Sequence, residues 1–360
     1  MKKVFRELTK DEFEEFTKSC PSKRYMQSVE MYERYQKNGY ESYLLGVLEN
    51  KKIVSAGLVF CVYKSRGGKV FSFPRGPLVD YKKDLDSFYF LLTESKKFLK
   101  AKGGMLLQTS PNFLSNESPK NFNSEMKKLH FKYLGEYERV KWIYTISFNK
   151  IKDLPEIEPK EEKTININPS LDKKLEQTLI QSFRRDHRVK IRQAVSRHNL
   201  SVRELKPEEY DILSKLLEES GKFQGYRPRD QKFFKELNKA FHGKATAIIA
   251  ELPDKTPVAV GFFVIYGDEV IYLFSGINRD YKQLGGQHLI QWTMIRYAYA
   301  NGYKKYNFWG THPEPDNGVF NFKQGFHGEI EEFVGTFATP LNLLGKLYIK
   351  KLRYSKYRDI

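Results

Sequence analysis

One order of predicted elements occurs twice along this chain: a strand, a hairpin, a strand, a long helix and a further strand. In the first copy, apolar runs and helical spacing predict these elements at 43–48, 52–63, 70–74, 84–102 and 105–109. The second copy has its predicted elements at 245–252, 257–266, 269–275, 284–301 and 306–310. We therefore expect two related mixed α/β units in tandem, although few residues are identical between them.

Further predicted elements lie around these two copies. An apolar run at 142–146 is expected to close the first unit, and 153–162, with prolines and an acidic excess, is expected to be a linker or exposed crossing. Helices are predicted at 171–198, 207–220 and 230–241, and a strand at 200–205. The predicted fold class is α/β (α+β), with one domain formed by 1–155 plus 336–360 and the other by 156–335.

The charge balance predicts an anionic partner. The chain has 62 Lys and Arg against 44 Asp and Glu, a formal net charge of +18. Nucleic acid, a phosphorylated substrate and an acidic membrane surface all fit this excess, and so does a well-solvated basic surface without such a partner. With 40% hydrophobic and 29% charged residues over 360 positions, the composition excludes disordered, collagen-like and coiled-coil classes.

Cysteine content and hydropathy exclude further classes. Two cysteines, Cys20 and Cys61, cannot build a disulfide framework or a four-thiolate zinc site. The longest uncharged apolar stretch, 257–266, is shorter than the roughly 20 residues that a membrane-spanning helix needs. We expect a soluble, cytoplasmic protein, and the sequence leaves open peripheral contact at the inner face of the membrane.

The densest positive charge lies in the predicted helix 171–198. Its basic residues are Arg184, Arg185, Arg188, Lys190 and Arg192. Arg185, Arg188 and Arg192 share one helix face through their three- and four-residue spacings. Their mutual repulsion is easier to explain if this face meets phosphates, so it is a candidate RNA-binding surface. An ordinary solvated helix face is the alternative.

A candidate for chemistry lies in the segment 317–329, where Lys323 stands among phenylalanines and glycines. An ammonium among aromatic rings can stabilise negative charge on a nearby oxygen once water is excluded. The alternative is an amphipathic hairpin whose lysine reaches solvent.

Other reactive groups lack a functional spacing. The pair Gly285 and Gly286 before a predicted helix is a weak signal for anion binding, and no phosphate-binding or dinucleotide motif occurs. His288, His312 and His327 do not have zinc-site spacing, and no nucleophile motif is present. The sequence thus predicts no metal, no cofactor and no covalent nucleophile.

Seven short motifs occur in the order known from one protein family. They are Gln27-Ser-Val-Glu-Met-Tyr, Arg75-Gly-Pro-Leu-Val-Asp, the basic helix 184–197, Gln291-Trp-Thr-Met-Ile, Tyr306-Asn-Phe-Trp-Gly, Gly318-Val-Phe-Asn-Phe-Lys-Gln-Gly-Phe and Glu332-Phe-Val-Gly. The series resembles the Fem family of peptidoglycan interpeptide-bridge enzymes, which are tRNA-dependent aminoacyltransferases. The resemblance covers nearly the whole chain.

This resemblance implies two tandem acetyltransferase-like (GNAT) domains with a cleft between them. It implies an aminoacyl-tRNA as donor. The implied acceptor is an amine on the peptide stem of a muramyl-pentapeptide precursor, either lipid-linked or nucleotide-linked. Many members carry a long helical arm in the second domain. The matching place, between Glu251 and Val258, holds only Leu-Pro-Asp-Lys-Thr-Pro, so a compact, armless member is expected.

Matched motif by motif, the resemblance implies roles for individual residues. Lys323 and Phe322 fall on the family's Phe-Lys pair, and the lysine is expected to stabilise charge during transfer. Acceptor-binding roles fall on Arg227, Tyr226, Asp80, Lys37, Tyr35 and Phe274. Arg227 is expected to contact precursor phosphates, and the basic helix is expected to bind tRNA.

The sequence also departs from the family pattern. Tyr35 stands where members often carry a phosphate-binding lysine, with Lys37 two positions on, and Ser110 stands where relatives have an aspartate. No general base is therefore identified, and proton removal is left to solvent or to the terminal ribose of the tRNA.

The expected reaction is attack by the acceptor amine on the ester carbon of an aminoacyl-tRNA carrying Ala, Ser or Gly. Three alternatives stay open. One is an acyl-CoA-dependent N-acetyltransferase of the same fold, for which Leu284-Gly-Gly is a poor pyrophosphate loop. Another is a non-catalytic, RNA-binding pair of GNAT domains, and the third is an enzyme that aminoacylates a membrane lipid.

Overall fold

The computed structural model of the chain describes residues 2–135, 141–160, 165–224 and 228–354. The chain divides into two compact units. The first consists of Met1–Lys141 and Glu332–Ile360, and the second of Trp142–Glu331.

Each unit is built around one β-sheet. In chain order the strands are β1 (Lys3–Glu7), β2 (Ser42–Glu49), β3 (Lys52–Ser65), β4 (Gly68–Phe73), β5 (Leu78–Val79), β6 (Gly104–Thr109), β7 (Lys132–Gly135), β8 (Trp142–Ser147), β9 (Ser201–Leu205), β10 (Ala245–Glu251), β11 (Pro257–Tyr266), β12 (Glu269–Ile277), β13 (Lys305–Thr311), β14 (Glu329–Glu332) and β15 (Thr336–Pro340). The α-helices are α1 (Lys10–Ser19), α2 (Val29–Lys37), α3 (Leu85–Ala101), α4 (Phe122–Lys128), α5 (Lys173–Gln181), α6 (Arg185–Ser196), α7 (Tyr210–Gln224), α8 (Gln231–Ala240), α9 (Gly286–Ala300), α10 (Gly318–Gln324) and α11 (Leu343–Tyr354).

The two sheets share one local plan. The first has the strand order β1-β2-β3-β4-β6-β15-β7, with β5 beside β3, and the second has the order β14-β8-β13-β12-β11-β10-β9. In each, a long helix connects two parallel neighbours: α3 lies between β4 and β6, and α9 between β12 and β13. Such a crossover is what a parallel pair requires. The predicted α/β class with two copies of one plan is confirmed.

The two crossover helices form for reasons visible in the sequence. Asp84 caps α3, its carboxylate accepting a hydrogen bond from the backbone N–H of Ser87 at 3.0 Å, and Phe88, Leu91 and Leu99 bury one face. Helix α9 is buried on nearly every side. The Tyr306 hydroxyl donates to Oε1 of Gln291 at 2.6 Å, which ties α9 to β13.

The N-terminal glycines of α9 serve packing. Gly285, at φ +80°, is the N-cap residue, and a Cβ there would lie 3.1 Å from the Lys190 carbonyl oxygen of α6. A Cβ on Gly286 would lie 2.7 Å from Cγ1 of Val258. The pair therefore allows α6 and β11 to approach the start of α9 closely.

Two predicted elements differ from the structure. The strand at 142–147 pairs with β13 and so belongs to the second sheet, not the first. The helix predicted at 171–198 is two helices, because the backbone is extended at Arg184, whose N–H donates to the Gly325 carbonyl at 2.9 Å. Residues 153–160 are mostly exposed, as an exposed crossing would be, with Leu154 buried and the Tyr299 hydroxyl donating to the Pro155 carbonyl at 2.7 Å.

The connection between β10 and β11 is short. Residues 252–256 form a tight turn in which the Leu252 N–H donates to the Thr256 carbonyl at 3.0 Å. No helical arm is inserted between these two described strands. Among the described helices, none combines the length and the apolar character needed to cross a membrane.

Candidate functional site

Lys323 lies in α10, a short helix that follows β13. Asn317 begins the helix: its side-chain oxygen accepts a hydrogen bond from the Phe320 N–H at 2.9 Å. The Asn321 amide donates to the Pro315 carbonyl at 2.7 Å and fixes the helix to the preceding loop. The alternative of an amphipathic hairpin with an exposed lysine is therefore wrong.

The Lys323 side chain is buried and has a single hydrogen-bond partner among the described residues. Only 4% of the residue is exposed, and Nζ donates to the carbonyl oxygen of Gly310 in β13. Burial lowers the pKa of Lys323 to about 7. Near neutral pH the amine is thus divided between its charged and neutral forms, which is unusual for lysine and typical of a functional group.

The strand that carries Gly310 is distorted next to this contact. Against β8, the register of β13 shifts between Asn307 and Gly310, and Trp309 has φ +61°. A non-glycine residue in this left-handed region costs roughly 1–2 kcal/mol. The Asn307 side chain supports the bulge, because its Oδ1 accepts from the Trp309 N–H at 2.8 Å and its Nδ2 donates to Glu269 at 3.0 Å.

Strands β12 and β13 separate at the end where Gly310 lies. They pair only over Glu269–Ile271 and Lys305–Asn307, although both strands run on for several residues. In the first unit, by contrast, β4 and β6 pair along Lys69–Phe73. The diverging ends in the second unit leave backbone donors and acceptors that an extended ligand can use.

Aromatic rings pack around α10. Phe320 and Phe326 are buried and Phe322 is half-buried. The ring of Phe326 lies 5.4 Å from that of Phe322 and 5.2 Å from that of Phe308, measured between centroids. These rings limit the access of water to the helix that holds Lys323, as electrostatic stabilisation of a reacting group requires.

Two histidines complete this cluster. The His187 ring, on the buried face of α6, lies 4.7 Å from the His288 ring of α9 and 4.6 Å from the Phe326 ring. Burial lowers the pKa of His187 to about 4 and that of His288 to about 3. Both rings are therefore neutral at pH 7, and Nδ1 of His187 is buried without a hydrogen-bond partner among the described residues.

Helix α6 presents its basic residues away from these histidines. Its buried face consists of His187, Ile191 and Ala194, whereas Arg185 and Arg192 are exposed and Arg188 is half-buried. Two of the predicted basic residues have partners within the protein: Arg184 pairs with Asp186 at 2.9 Å, and Lys190 donates to the Gln283 carbonyl at 3.3 Å.

The residues predicted to bind the acceptor are spread over both units. Asp80 pairs with Lys83 at 3.5 Å, Lys37 is exposed at the end of α2, and the Tyr35 ring is buried and stacks on that of Phe60 at 4.0 Å. Phe274, in β12 of the second unit, packs edge-on against the Phe234 ring at 5.3 Å. Tyr226 and Arg227 lie outside the described residues.

Two motifs from different parts of the chain meet in the first unit. The buried Gln27 amide donates to the carbonyls of Leu58 and Pro74 at 3.0 and 2.8 Å, and its Oε1 accepts from the Leu58 N–H at 2.7 Å. A Cβ on Gly76 would lie 2.5 Å from this amide. The Gln27 and Arg75-Gly-Pro motifs thus form one structural contact.

Some of these features were not predicted from sequence. The pairing of His187 with His288 and the left-handed Trp309 have no local sequence signal, because both depend on how distant elements pack. Among the described residues, no group of three or more His, Cys, Asp or Glu is placed to hold a metal ion.

Comparison with known proteins gives a consistent result. A family model described as the FemAB family matches residues 8–256 and 245–353. The chain is 25% identical to the aminoacyltransferase FemA of Staphylococcus aureus strain bovine RF122 over 419 aligned residues, covering 94% of this chain and 95% of that protein. The same identity and coverage are found with FemA of strain MRSA252.

Solved structures show the same fold. The crystal structure of FemX has a TM-score of 0.77 at 18% identity, covering 98% of this chain and 100% of that one. A tandem GNAT protein from the clavulanic acid biosynthesis pathway has a TM-score of 0.56 at 7% identity, covering 95% and 99%. Two GNAT-like domains in tandem are therefore the architecture of this chain.

Proposed function

This chain belongs to the FemAB family, and from that premise we propose that it transfers an aminoacyl group from aminoacyl-tRNA to the peptide-stem amine of a peptidoglycan precursor. Family membership supports an aminoacyltransferase of cell-wall bridge formation. The tRNA donor, the identity of the amino acid (Ala, Ser or Gly) and the form of the precursor are the finer parts of the proposal. The observation that carries it is the buried Lys323, whose pKa burial lowers to about 7.

The reaction moves the aminoacyl group from an oxygen atom of the tRNA ribose to the nitrogen atom of the acceptor amine. The neutral acceptor amine attacks the ester carbon that links the amino acid to the 3′-terminal ribose of the tRNA. A C–N bond forms, the C–O bond to the ribose breaks, and one proton passes from the amine to the ribose oxygen. Because the ester is already activated, neither ATP nor a metal enters this step.

Lys323 in its charged form is suited to hold the negative charge of this reaction. The tetrahedral intermediate carries an oxyanion, and the departing ribose oxygen carries negative charge until it takes up a proton. In a site sheltered by Phe320 and Phe326, an ammonium interacts with that charge more strongly than it would in water. Removing one such donor typically lowers the rate by about 10²–10³.

The basic face of α6 is the proposed contact for the tRNA backbone. Arg185, Arg188 and Arg192 project from the side of the helix opposite to His187. Since the buried side of the same helix contacts the rings beside Lys323, RNA bound to the outer face would lie near the reacting group. Arg184 and Lys190 complete the proposed set, although both already have partners in the protein.

The acceptor contacts remain proposals taken from the family resemblance. Arg227 is proposed to contact the precursor phosphates, with Tyr226, Asp80, Lys37, Tyr35 and Phe274 as further acceptor-binding residues. A cytoplasmic reaction, with peripheral contact at the inner face of the membrane, fits both precursor forms.

The decisive experiment supplies purified protein with charged total tRNA in which one amino acid at a time is labelled. Nucleotide-linked and lipid-linked muramyl pentapeptides are offered in parallel, and the product is identified by mass. Lys323→Met should lower turnover by about 10²–10³ while precursor binding persists. Lys150→Met is the matched control, because Lys150 is in the same unit with a side chain that is 65% exposed.

Three results would contradict the proposal. Transfer that proceeds from acetyl-CoA without tRNA would assign the chain to the N-acetyltransferases of this fold. Binding of tRNA without release of the amino acid would make it a non-catalytic RNA-binding protein. Near-normal turnover by the Lys323→Met variant would show that the lysine takes no part in the reaction, although the proposed substrates would stand.

A further inference from the structure

Helix α11 exposes three leucines on one side. Leu343, Leu344 and Leu347 are 72%, 50% and 58% exposed, and no other leucine among the described residues is classed as exposed. Leu343 and Leu347 stand one turn apart, on the face directed away from the sheet. Side chains of this size on the outer face of a helix are unusual in a soluble domain, where polar residues occupy such positions.

The opposite side of α11 is fixed to the first sheet. Ile349 is fully buried and packs with Val70, Leu106 and Ala338. A Cβ on Gly345 would lie 1.9 Å from the Met105 carbonyl oxygen, so the helix backbone rests directly on β6. The leucines therefore do not belong to a helix that can turn inward to bury them.

The β3–β4 hairpin extends the same surface. The Asn342 side chain donates to the Gly67 carbonyl at 3.3 Å, and a Cβ on Gly67 would lie 3.2 Å from Cδ1 of Leu344. Tyr63 is 52% exposed and pairs across the strands with Val70, which packs against α11. Cross-strand partners share a sheet face, so this tyrosine lies on the side of the sheet that carries the leucines.

The charges around the leucines are positive. Lys346 and Lys350 are exposed on α11, and Arg66 is exposed at the tip of the hairpin. Neither the helix 343–354 nor the segment 62–69 contains an aspartate or a glutamate. We define the α11 surface as Leu343, Leu344, Leu347, Lys346, Lys350 and the hairpin residues Tyr63 and Arg66.

We infer that the α11 surface docks on a membrane that contains anionic phospholipid. Leucine side chains enter the boundary between headgroups and acyl chains, a tyrosine is stable at that depth, and lysine and arginine bind lipid phosphates. An acidic protein would account for the charges but needs a shaped pocket for three outward leucines. RNA offers no apolar layer for them. Taken with the proposed function, on which this last step rests, the surface favours the lipid-linked precursor as acceptor.

The test measures binding of the full-length protein to vesicles by flotation. Vesicles of phosphatidylcholine alone are compared with vesicles of equal parts phosphatidylcholine and phosphatidylglycerol. The wild type should bind the mixed vesicles and bind the neutral ones weakly. Leu343→Ser with Leu347→Ser should weaken binding by about tenfold or more, because two exposed apolar side chains are lost. Lys346→Glu with Lys350→Glu should abolish the preference for anionic lipid.

Matched controls separate this surface from general charge and hydrophobicity. Val189→Ser with Val195→Ser removes two other exposed aliphatic side chains, both on α6, and should leave vesicle binding unchanged. Lys232→Glu with Lys235→Glu, a charge reversal of the same size at exposed positions of α8, should also leave it unchanged.

Several outcomes would overturn the inference. One is equal binding of mixed vesicles by the wild type and the leucine variant, and another is no binding by the wild type. A wild-type dimer that the leucine variant dissociates would assign the surface to a second copy of the chain. Weaker tRNA binding by the leucine variant would assign it to RNA. Vesicle binding needs no acyl transfer, so this inference and the proposed function can fail independently.

Discussion

The imidazole of His187 occupies the space that a side chain on Gly325 would need. An added Cβ at Gly325 would lie 2.1 Å from both Cε1 and Nε2 of His187. The backbone of Gly325 has φ −62°, which any residue can adopt, so the restriction comes from this contact alone. Gly325 ends α10, the helix that holds Lys323. The contact between Gly325 and the His187 ring therefore fixes α6 against the end of α10.

Gly325→Ala should therefore destabilise the protein by about 1–3 kcal/mol, the usual cost of forcing extra volume into a packed region. His187→Ala in the same chain should restore part of that loss, since it removes the ring that the new methyl group meets. Urea unfolding of the two single variants and the double variant measures the coupling. Gly318→Ala is the control, because no atom lies within 4 Å of the Cβ it would add. Additive effects in the double variant would contradict the contact.

The two buried histidines should make the protein sensitive to acid. Burial lowers the pKa of His187 to about 4, from an ordinary value of 6.5, so the unfolded chain binds this proton more readily than the folded one. Stability is then lost as the pH falls from 6.5 toward 4. His187→Phe keeps a ring against Phe322 and Phe326 and removes the titrating group. The free energy of unfolding of this variant should fall less between pH 6.5 and pH 4 than that of the wild type. An equal fall in the two proteins would show that His187 is not responsible.

The local sequence pattern was sufficient to predict the two crossover helices. Helices α3 and α9 begin and end within two residues of their predicted bounds. The buried residues of α3 recur at helical spacing, whereas α9 is buried on nearly every side and is indicated by the length of its apolar run. The break at Ser182–Arg184 was missed, because the apolar pattern of α5 continues into α6 and the extended backbone there depends on a hydrogen bond to Gly325. Tertiary contact, not local preference, ends that helix.

The candidate site was only partly predictable for the same reason. The phenylalanines around Lys323 indicated an apolar setting, but the burial of the amine and its bond to Gly310 depend on the bulge in β13. His187 and His288 come from different helices and become neighbours only when α6 packs on α9. The roles inferred from the family resemblance stay predictions.

Reversing charge on the outer face of α6 should weaken tRNA binding. Arg185→Glu with Arg188→Glu removes two proposed phosphate contacts, so the slope of log affinity against log salt should fall by about 1–2. Lys232→Glu with Lys235→Glu is the matched control, since both pairs are spaced three apart on a helix of the same unit. Equal salt slopes for the wild type and the Arg variant, measured by filter binding, would indicate that the outer face of α6 is solvated and does not bind RNA.

Removing Lys323, the proposed catalytic lysine, should make the protein more stable while making it less active. Because burial lowers the pKa of Lys323 from 10.5 to about 7, the wild type gains stability as the pH rises from 7 to 10.5. Lys323→Met should be more stable than the wild type by about 1–3 kcal/mol below pH 7, well under the upper limit of about 5 kcal/mol that the shift allows. This advantage should shrink toward pH 10.5, and chemical denaturation across that range measures it. A constant difference would mean that the lysine is not the group that titrates.

The pH dependence of turnover distinguishes a charged Lys323 from a neutral one acting as base. The acceptor amine, with a pKa near 10.4 if ordinary, becomes reactive in proportion to its neutral fraction, which rises tenfold per pH unit. If the charged form of Lys323 is required, that form declines above its pKa of about 7, and the two effects cancel. Log kcat at saturating substrates should then rise with unit slope below pH 7 and become flat above it.

The Lys323→Met variant provides the comparison for this profile. Its residual turnover should rise with unit slope through pH 7 without a bend, because only the acceptor amine still titrates. If neutral Lys323 were the base, the wild-type slope would be two below pH 7 and one above it, since both amines would have to lose a proton. The change of slope at the lysine pKa, present in the wild type and absent in the variant, therefore identifies the residue, and the value of the slope above pH 7, zero or one, identifies the protonation state in which it acts.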